Sequence, residues 1–353
     1  MNIVFMGTAE LSCASLDALA HDRQFQIAAV VTQPDRPKGR ELRPQPSPVK
    51  MLAQKLDLPV LQPGRARDET FISELRGLAP DLIVVVAYGQ ILPPAILDLP
   101  RHGCLNVHTS LLPKYRGAAP IQWAMANGDA ETGVTLMKMD AGLDTGPIVA
   151  QRRAPIQATD DSATLHDRLA RLGAELLLAT LPGYIAGKIQ PRPQPAGGVS
   201  HAPKIKKEDG RIDWTLPAQV IANRLRAFTP WPGAYTFLPA KPSVGRASPR
   251  AEAKNSERLA SSLTPPQMLK IWKAEAVEKF TGRDSALRCP DAAARRPYPG
   301  QNPGEVLLAD KSGILAACGQ GALRILELQL EGGRRMSAAE FLAGHPMKSG
   351  EKI

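Results

Sequence analysis

The chain has 353 residues, of which 43 % are hydrophobic and 22 % are charged, and its formal net charge is +10. This composition is typical of a globular protein and excludes a wholly disordered or fibrous chain, while the length predicts two domains or three. The longest uninterrupted apolar stretch, Leu82 to Tyr88, has seven residues, far fewer than the about 20 that a membrane-spanning helix needs. We therefore expect no membrane partner.

The first half of the chain alternates short runs rich in Val and Ile with amphipathic stretches. Because the apolar runs lack polar alternation, they predict strands that are buried on both faces. The predicted strands cover residues 3–6, 27–31, 82–87, 105–108 and 133–139, and the predicted helices cover residues 9–21, 49–56, 68–78 and 161–185. Strands and helices in alternation predict right-handed crossovers and an α/β fold with a mostly parallel sheet.

The second half begins with a Pro- and Gly-rich segment at 191–198, which cannot form a helix or a central strand and predicts a linker. Beyond it, the pattern predicts a small barrel or sandwich, with a helix at 217–226 and strands at 234–238, 268–272, 305–308, 313–317 and 322–330. Segment 242–266 is rich in Ser, Ala and Arg, and segment 281–303 shows no apolar periodicity, so both are predicted to be disordered surface insertions. The predicted domains are 1–189 and 210–353, joined by a basic linker at 190–209.

The excess positive charge lies entirely in the second half. Residues 1–190 contain 19 Lys and Arg against 19 Asp and Glu, whereas residues 191–353 contain 25 against 15. A neutral domain followed by a basic one favours chemistry in the first and a polyanionic partner at the second. The alternative is a second half that is merely soluble and basic.

The cysteines indicate the compartment. Cys13, Cys104, Cys289 and Cys318 are too widely spaced for a CxxC metal site, and they do not form a disulfide framework for a chain of this length. The N-terminus shows neither a basic segment nor a long apolar core typical of a signal peptide. We therefore expect a cytoplasmic protein without a metal site.

Three polar residues follow predicted strands of the first domain. Asn106 and His108 end one strand on the same face, and Asp144 lies between two glycines after the next strand. Ligands of open α/β sheets bind outside the carboxyl ends of the strands, so these side chains are expected to converge. Together they suit acyl transfer to an amine: the imidazole takes a proton, the carboxylate orients it, and the amide donates to an oxyanion. Taken alone, His108 is better explained as a buried core histidine with satisfied hydrogen bonds, and the functional interpretation depends on the three residues together.

The residues from Asn106 to Ile121, NVHTSLLPKYRGAAPI, resemble the signature of the folate-dependent formyltransferases, and GLDTG at 142–146 belongs to the same pattern. Further motifs are similar to the branch of that family that acts on initiator methionyl-tRNA. They are VTQPD at 31–35 before an inserted loop at 36–47, SPVK at 47–50, HAPKIKK at 201–207, FTPWPGA at 228–234 and LELQ at 326–329. The resemblance covers nearly the whole chain except the two insertions.

This resemblance implies a Rossmann-like, mostly parallel sheet with helices on both faces, followed by a small OB-like β-barrel domain that binds tRNA. It implies formyl transfer from 10-formyltetrahydrofolate, as a donor co-substrate, to the amino group of methionine on initiator tRNA, the step that prepares translation initiation. No metal is implied, and a monomer is the default expectation for a two-domain enzyme.

The resemblance also implies roles for individual residues. Asn106 would hold the formyl oxygen, His108 would polarise the formyl group and manage the protons of the amine, and Asp144 would set the state of His108. The folate pocket would be lined by Ser110, Leu111, Leu112, Pro113, Gln90, Ile91 and Leu92. The tRNA would be contacted by Lys38, Arg40, Arg43, Lys204, Lys206 and Lys207. Glu41 stands where the family usually has a glycine.

Two other functions remain open at this stage. A formyltransferase for a small amine, such as a nucleotide sugar or a purine precursor, would share residues 1–190 but would not explain a separate basic domain. A tRNA-binding protein without catalysis would not explain why Asn106, His108 and Asp144 are all present. The tryptophans Trp214, Trp231 and Trp272 are expected to anchor the core of the second domain rather than to stack on bases.

Overall fold

The computed structural model describes residues 1–38, 43–239, 266–277 and 302–353. It divides into two compact units, Met1–Ile205 and Lys206–Ile353. The division falls inside the predicted linker at 190–209, and the first part of that linker belongs to the first unit. The predicted insertions lie outside the described residues, apart from Pro266, Asn302 and Pro303.

The first unit is built on a seven-stranded sheet. In chain order its elements are β1 (Asn2–Gly7), α1 (Leu11–His21), β2 (Gln26–Val31), β3 (Arg36–Lys38), β4 (Arg43–Gln45), α2 (Pro48–Lys55), β5 (Val60–Leu61), α3 (Glu69–Gly77), β6 (Leu82–Val86), α4 (Pro94–Leu97), β7 (Cys104–His108), β8 (Arg116–Gly117), α5 (Pro120–Ala126), β9 (Glu131–Lys138), β10 (Ile148–Pro155), α6 (Ser162–Ile185) and β11 (His201–Ala202).

The strand order of this sheet is β10-β9-β7-β6-β1-β2-β5. The five strands from β7 to β5 are parallel, and β9 and β10 add an antiparallel edge. All five residues of β6 are buried, as a strand covered on both faces requires. The prediction of a mostly parallel sheet is therefore confirmed, and the antiparallel edge of β9 and β10 was not predicted from the sequence.

Helices cover both faces of the sheet. On one face, Val4 and Val85 pack with Phe71 and Leu75 of α3 and with Ile96 of α4. On the other, α6 packs against α1 and against β7, β9 and β10. Gly173 lets α6 approach the sheet, because a Cβ there would lie 2.9 Å from the Val107 side chain. Helix α6 therefore packs closely on β7 and β9, whose antiparallel pairing places the end of β9 beside the start of β7.

The second unit is mainly an antiparallel sheet. Its elements are a short 3₁₀ helix (Lys207–Gly210), α7 (Ala218–Ala227), β12 (Ala234–Leu238), β13 (Gln267–Val277), β14 (Val306–Asp310), β15 (Gly313–Ala317), β16 (Ala322–Leu330), β17 (Met336–Ser337) and α8 (Ala338–Gly344). The strand order is β12-β13-β16-β15-β14, with β17 paired to β16. Within the described residues no pairing joins β12 to β14, so the OB-like barrel stays a prediction.

The tryptophans of this unit divide into three environments. Trp214 is buried and donates from Nε1 to the Thr236 hydroxyl at 3.2 Å. Trp272 is half-buried, and the Arg335 guanidinium lies 5.1 Å from the centre of its ring. Trp231 is 57 % exposed, so its predicted role as a core anchor is wrong. It stands between two prolines in a turn.

None of the helices in the described ranges is long and apolar enough to cross a membrane.

Candidate active site

The structure brings Asp144 next to Asn106 and His108 of β7, an interior strand of the first unit's sheet. The Asn106 amide Nδ2 donates to the Asp144 carboxylate Oδ1 at 3.4 Å. The His108 imidazole Nδ1 lies 3.7 Å from Asp144 Oδ2. The carboxylate therefore stands between the amide and the imidazole, within reach of both.

Strand pairing determines this convergence. Asn106 and His108 alternate with Val107 on β7, so their side chains leave the same face of the sheet. Asp144 is carried by the loop between β9 and β10, and this loop is closed at its base where Lys138 N–H donates to the Pro147 carbonyl at 2.9 Å. The Asp144 backbone is left-handed, with φ of +53°.

His108 is held by a single backbone contact. Its side chain is 6 % exposed, and its Nε2 lies 3.0 Å from the Tyr115 carbonyl oxygen. Because a carbonyl only accepts, Nε2 carries the proton in this arrangement. The other nitrogen, Nδ1, faces the carboxylate and is the atom that can gain or lose a proton. His108 is thus not a core histidine with both nitrogens bonded to the backbone.

Tyr115, which supplies that carbonyl, is itself fixed. Its backbone is left-handed with φ of +62°, its N–H donates to the Ser200 hydroxyl at 2.9 Å, and its own hydroxyl donates to Asp129 at 3.1 Å. Burial raises the pKa of the Tyr115 phenol, so the hydroxyl stays a donor across the physiological range. The orientation of the His108 ring is therefore set by a chain of contacts outside β7.

Asp144 is tied to the same loop. Its Oδ2 accepts the Gly117 N–H at 2.8 Å, and its side chain is 13 % exposed. A carboxylate held by a backbone donor and facing an imidazole can stabilise that imidazole in its charged form. The triad can therefore hold a proton at His108 Nδ1 while leaving one hydrogen of the Asn106 amide free.

The predicted folate loop, residues 110–113, is held in part by hydrogen bonds to other groups of the protein. The Ser110 hydroxyl donates to the Lys114 carbonyl at 2.6 Å, and Ser110 is completely buried. Leu112 is also buried. Leu111 and Pro113 are half-buried, so theirs are the side chains of this loop that can reach a ligand.

Two polar residues that sequence reasoning missed hold this loop from the antiparallel edge. The Thr135 hydroxyl on β9 donates to the Ser110 carbonyl at 2.6 Å and accepts the Leu112 N–H at 3.1 Å. The Gln151 amide on β10 donates to the Leu112 carbonyl at 2.9 Å. Only the pairing of β9 with β10 reveals these contacts.

The other predicted folate residues lie in a different setting. The Gln90 amide oxygen accepts the Ala66 N–H at 2.7 Å, and Leu92 is 3 % exposed and packed in the core with Ile96. Ile91 is 83 % exposed. Of these three, the Ile91 side chain is the most exposed and Gln90 is half-buried, whereas a contact from Leu92 would have to come from its backbone.

The basic loop before α2 is described only in part. Lys38 and Arg43 are paired backbone positions of the β3–β4 hairpin, and Arg40 and Glu41 lie outside the described residues. The base of the hairpin is anchored where Lys50 Nζ contacts Asp35 Oδ2 at 2.7 Å.

Asp35 is stabilised as a carboxylate at this anchor. Hydrogen bonds from Lys50 and from the Gln62 amide hold the pKa of the Asp35 carboxyl below its usual value. The Thr32 and Ser47 hydroxyls, 2.7 Å apart, close the base further. These contacts fix the base of the β3–β4 hairpin, which belongs to the same unit as the candidate site.

The predicted linker lysines belong to two units. Lys204 is exposed in the first unit, whereas Lys206 and Lys207 are exposed at the start of the second. The Lys206 N–H donates to Asp209 Oδ2 at 2.7 Å at the start of the 3₁₀ helix. No group of three or more potential metal ligands occurs in the part of the chain that the structure describes.

Family models match both units. The formyl transferase model matches residues 1–181, and the model of the formyl transferase C-terminal domain matches residues 204–346.

Curated relatives align over the whole chain. A methionyl-tRNA formyltransferase of Geobacter sulfurreducens is 46 % identical over 353 residues, which is 100 % of this chain and 96 % of the relative. A methionyl-tRNA formyltransferase of Myxococcus xanthus is 46 % identical over 99 % of this chain and 97 % of its own length.

Solved structures share the fold at low identity. An N-formyltransferase of Helicobacter canadensis, in complex with folinic acid and dTDP-3-aminofucose, has a TM-score of 0.59 and 17 % identity, covering 92 % of this chain and 98 % of its own. HypX of Aquifex aeolicus, in complex with tetrahydrofolic acid, has a TM-score of 0.56 and 17 % identity, covering 99 % of this chain and 48 % of its own. The full-length identity and both family models show that this chain belongs to the formyl transferase family, in its methionyl-tRNA formyltransferase branch.

Proposed function

We propose that this chain transfers the formyl group of 10-formyltetrahydrofolate to the amino group of methionine on initiator methionyl-tRNA. The observation that carries the proposal is the position of the Asp144 carboxylate between the Asn106 amide and the His108 imidazole. An amine substrate brings its own nucleophile, so this set needs no Ser or Cys to form an acyl-enzyme.

The proposed chemistry follows from the free atoms of the site. The methionyl nitrogen attacks the formyl carbon, and the carbonyl oxygen becomes an oxyanion. Asn106 Nδ2 carries two hydrogens, one of which Asp144 accepts, so the second can stabilise that oxyanion. His108 Nδ1 accepts the proton that the amine loses, and Asp144 stabilises the resulting imidazolium.

The intermediate then collapses with cleavage of the bond between the formyl carbon and the donor nitrogen. His108 Nδ1 returns its proton to that departing nitrogen, which leaves tetrahydrofolate and formylmethionyl-tRNA. Because Nε2 stays bonded to the Tyr115 carbonyl, both transfers use the same ring nitrogen. The stiff loop that carries Leu111 and Pro113 would support the donor, and the exposed Ile91 is a further apolar surface for it.

The substrate assignment rests on charge. The excess of ten positive charges in residues 191–353 attracts a polyanionic acceptor such as tRNA. Binding of a small amine would not require this excess. The proposed tRNA contacts are the exposed Lys204, Lys206 and Lys207, together with Lys38, Arg40 and Arg43 of the basic sequence segment before α2. We also propose a cytoplasmic monomer.

The proposal is tested by presenting formyl donor with three acceptors: initiator methionyl-tRNA, free methionine and a nucleotide-linked amino sugar. We expect the purified full chain to formylate the charged tRNA and neither of the others, as measured by transfer of a labelled formyl group from the donor to the acceptor. Transfer to the amino sugar alone would show that the proposed acceptor is wrong, whereas the proposed formyl-transfer chemistry would stand. Binding of tRNA without any transfer would favour a non-catalytic tRNA-binding protein.

Replacing Lys206 and Lys207 together with glutamine is expected to raise KM for tRNA several-fold at low salt and to leave kcat unchanged. If each lysine contacts one phosphate, the slope of log affinity against log salt becomes shallower by about 1.8. The slope is measured by tRNA binding between low and physiological salt. A matched control removes two other exposed lysines of the same unit, Lys348 and Lys352. If both double variants change KM and the salt slope equally, the effect depends on net charge and not on contacts made by Lys206 and Lys207.

A further inference from the structure

The segment between the two family matches, residues 182–203, contributes to the candidate site. Within it Gln194 is half-buried, and its side-chain amide makes four contacts. Nε2 donates to the carbonyl oxygens of Asp144 at 2.7 Å and of Gly146 at 2.8 Å. Oε1 accepts from Arg116 Nη2 at 2.7 Å and from its Nε at 3.2 Å.

We propose that Gln194 is a positioning residue for formyl transfer, which holds the Asp144 loop in register with His108 by bonding the carbonyls on both sides of Thr145. The kinetic part of this inference rests on the proposed function. Gln194 touches no reacting atom; it acts through the backbone that carries the catalytic carboxylate.

The Asp144 loop has a specific need for such a contact. Asp144 has a left-handed backbone that a residue with a Cβ adopts only when its surroundings enforce it. Its neighbours Leu143 and Thr145 are exposed, so core packing does not hold the tip of the loop. The Gln194 amide donates two hydrogen bonds to the backbone of this loop, whose tip is not packed against the apolar core.

The amide group suits this position better than other side chains of its length. Arg116 offers only donors, and the two backbone carbonyls offer only acceptors, so the central group must accept on one atom and donate twice from another. Glutamate keeps the contact with Arg116 but places a carboxylate oxygen against two carbonyl oxygens. Methionine keeps the length of the side chain and makes neither set of bonds.

The same segment also fixes the other side of the site. Strand β11 pairs in parallel with β8, Arg116 N–H donates to the Ser200 carbonyl at 2.9 Å, and the Gly117 N–H beside it holds Asp144 Oδ2. Arg192 exchanges backbone hydrogen bonds with Ile148 at 2.7 and 2.8 Å. Gln194 therefore lies on a backbone that is anchored before and after it.

The test compares Gln194→Met and Gln194→Glu with wild type in the full chain. Since small displacements of a catalytic group cost up to about 100-fold in rate, we expect kcat to fall by about 10- to 100-fold, with KM for formyl donor and for tRNA within about twofold. Amide hydrogen exchange in the peptide covering residues 140–147 is expected to become faster in both variants. The matched control is Gln190→Met, because Gln190 is exposed in the same region and its amide donates to the Gly187 carbonyl.

Three results would overturn the inference: kcat within about twofold of wild type, unchanged exchange in 140–147, or the same losses in Gln190→Met. If either Gln194→Met or Gln194→Glu fails to fold, the remaining variant is compared with wild type in the same measurements. Should the wild-type chain transfer no formyl group, the proposed function fails, and the exchange measurement still decides whether Gln194 holds the loop.

Discussion

Replacing His108 with alanine is expected to lower kcat for formyl transfer by about 10²- to 10⁴-fold, the usual contribution of a positioned general acid–base group. The substitution removes Nδ1, which faces Asp144 and is the atom proposed to carry the proton between the amine and the departing nitrogen. Affinity for tRNA is expected to stay within about twofold, because the loss concerns proton transfer and no phosphate contact. Single-turnover transfer to initiator methionyl-tRNA, with tRNA binding measured in parallel, checks both statements.

The control for this substitution is His21→Ala. His21 is an exposed histidine at the end of α1 that contacts Asp17 and lies outside the site. Since His108 is buried, its removal also leaves a cavity, and thermal unfolding must be compared for both variants. A folded His108→Ala protein that transfers formyl at a rate within about threefold of wild type would remove His108 from the reaction.

The predicted strands of the first unit agree with the structure because burial on both faces leaves a clear mark in the sequence. Strand β6 is an unbroken run of Leu, Ile and Val, and the structure places it in the middle of the sheet. The edge strand β10 carries Gln151, Arg152 and Arg153 and was not predicted, because one side of an edge strand faces solvent. Helices α5 and α8 have seven residues each, too few for their periodicity to stand out.

The candidate site was predictable where it follows from strand geometry. Alternation along β7 placed Asn106 and His108 on one face. Asp144 was expected beside them because it follows a strand, but β9 is antiparallel to β7, so the loop after β9 brings Asp144 to them and the shared carboxyl end of parallel strands does not. Thr135 and Gln194 carry no such signal. Gln194 is separated by 50 positions from the Asp144 carbonyl that it binds, and only the folded chain brings them together.

Motif resemblance was least informative about the direction of side chains. Gln90 and Leu92 were assigned to the folate pocket by their place in the chain, yet the Gln90 amide bonds the Ala66 backbone and Leu92 packs in the core. A motif identifies the segment near a ligand, whereas burial decides which of its side chains face that ligand. Of the three, Ile91 has the most exposed side chain and Leu92 the most buried.

Replacing Asn106 with alanine is expected to lower kcat by about 10²- to 10³-fold, the effect of removing one side-chain donor from an oxyanion site. The contact with Asp144 occupies one hydrogen of Nδ2, and the second is proposed to bind the oxyanion. The expected loss is in kcat and in kcat/KM alike, because this hydrogen bond gains its strength only as the negative charge develops. KM for the formyl donor is therefore expected to stay within about twofold.

A second substitution, Asn106→Asp, separates charge from size. It preserves the shape of the side chain but replaces the donor with a carboxylate, which faces both the Asp144 carboxylate and the developing oxyanion. We expect its kcat to be at or below that of Asn106→Ala, since repulsion then adds to the lost donor. If both variants instead raise KM for the donor and leave kcat unchanged, Asn106 contributes uniform binding and the oxyanion must be stabilised elsewhere. Steady-state kinetics with the donor as the varied substrate distinguish the two cases.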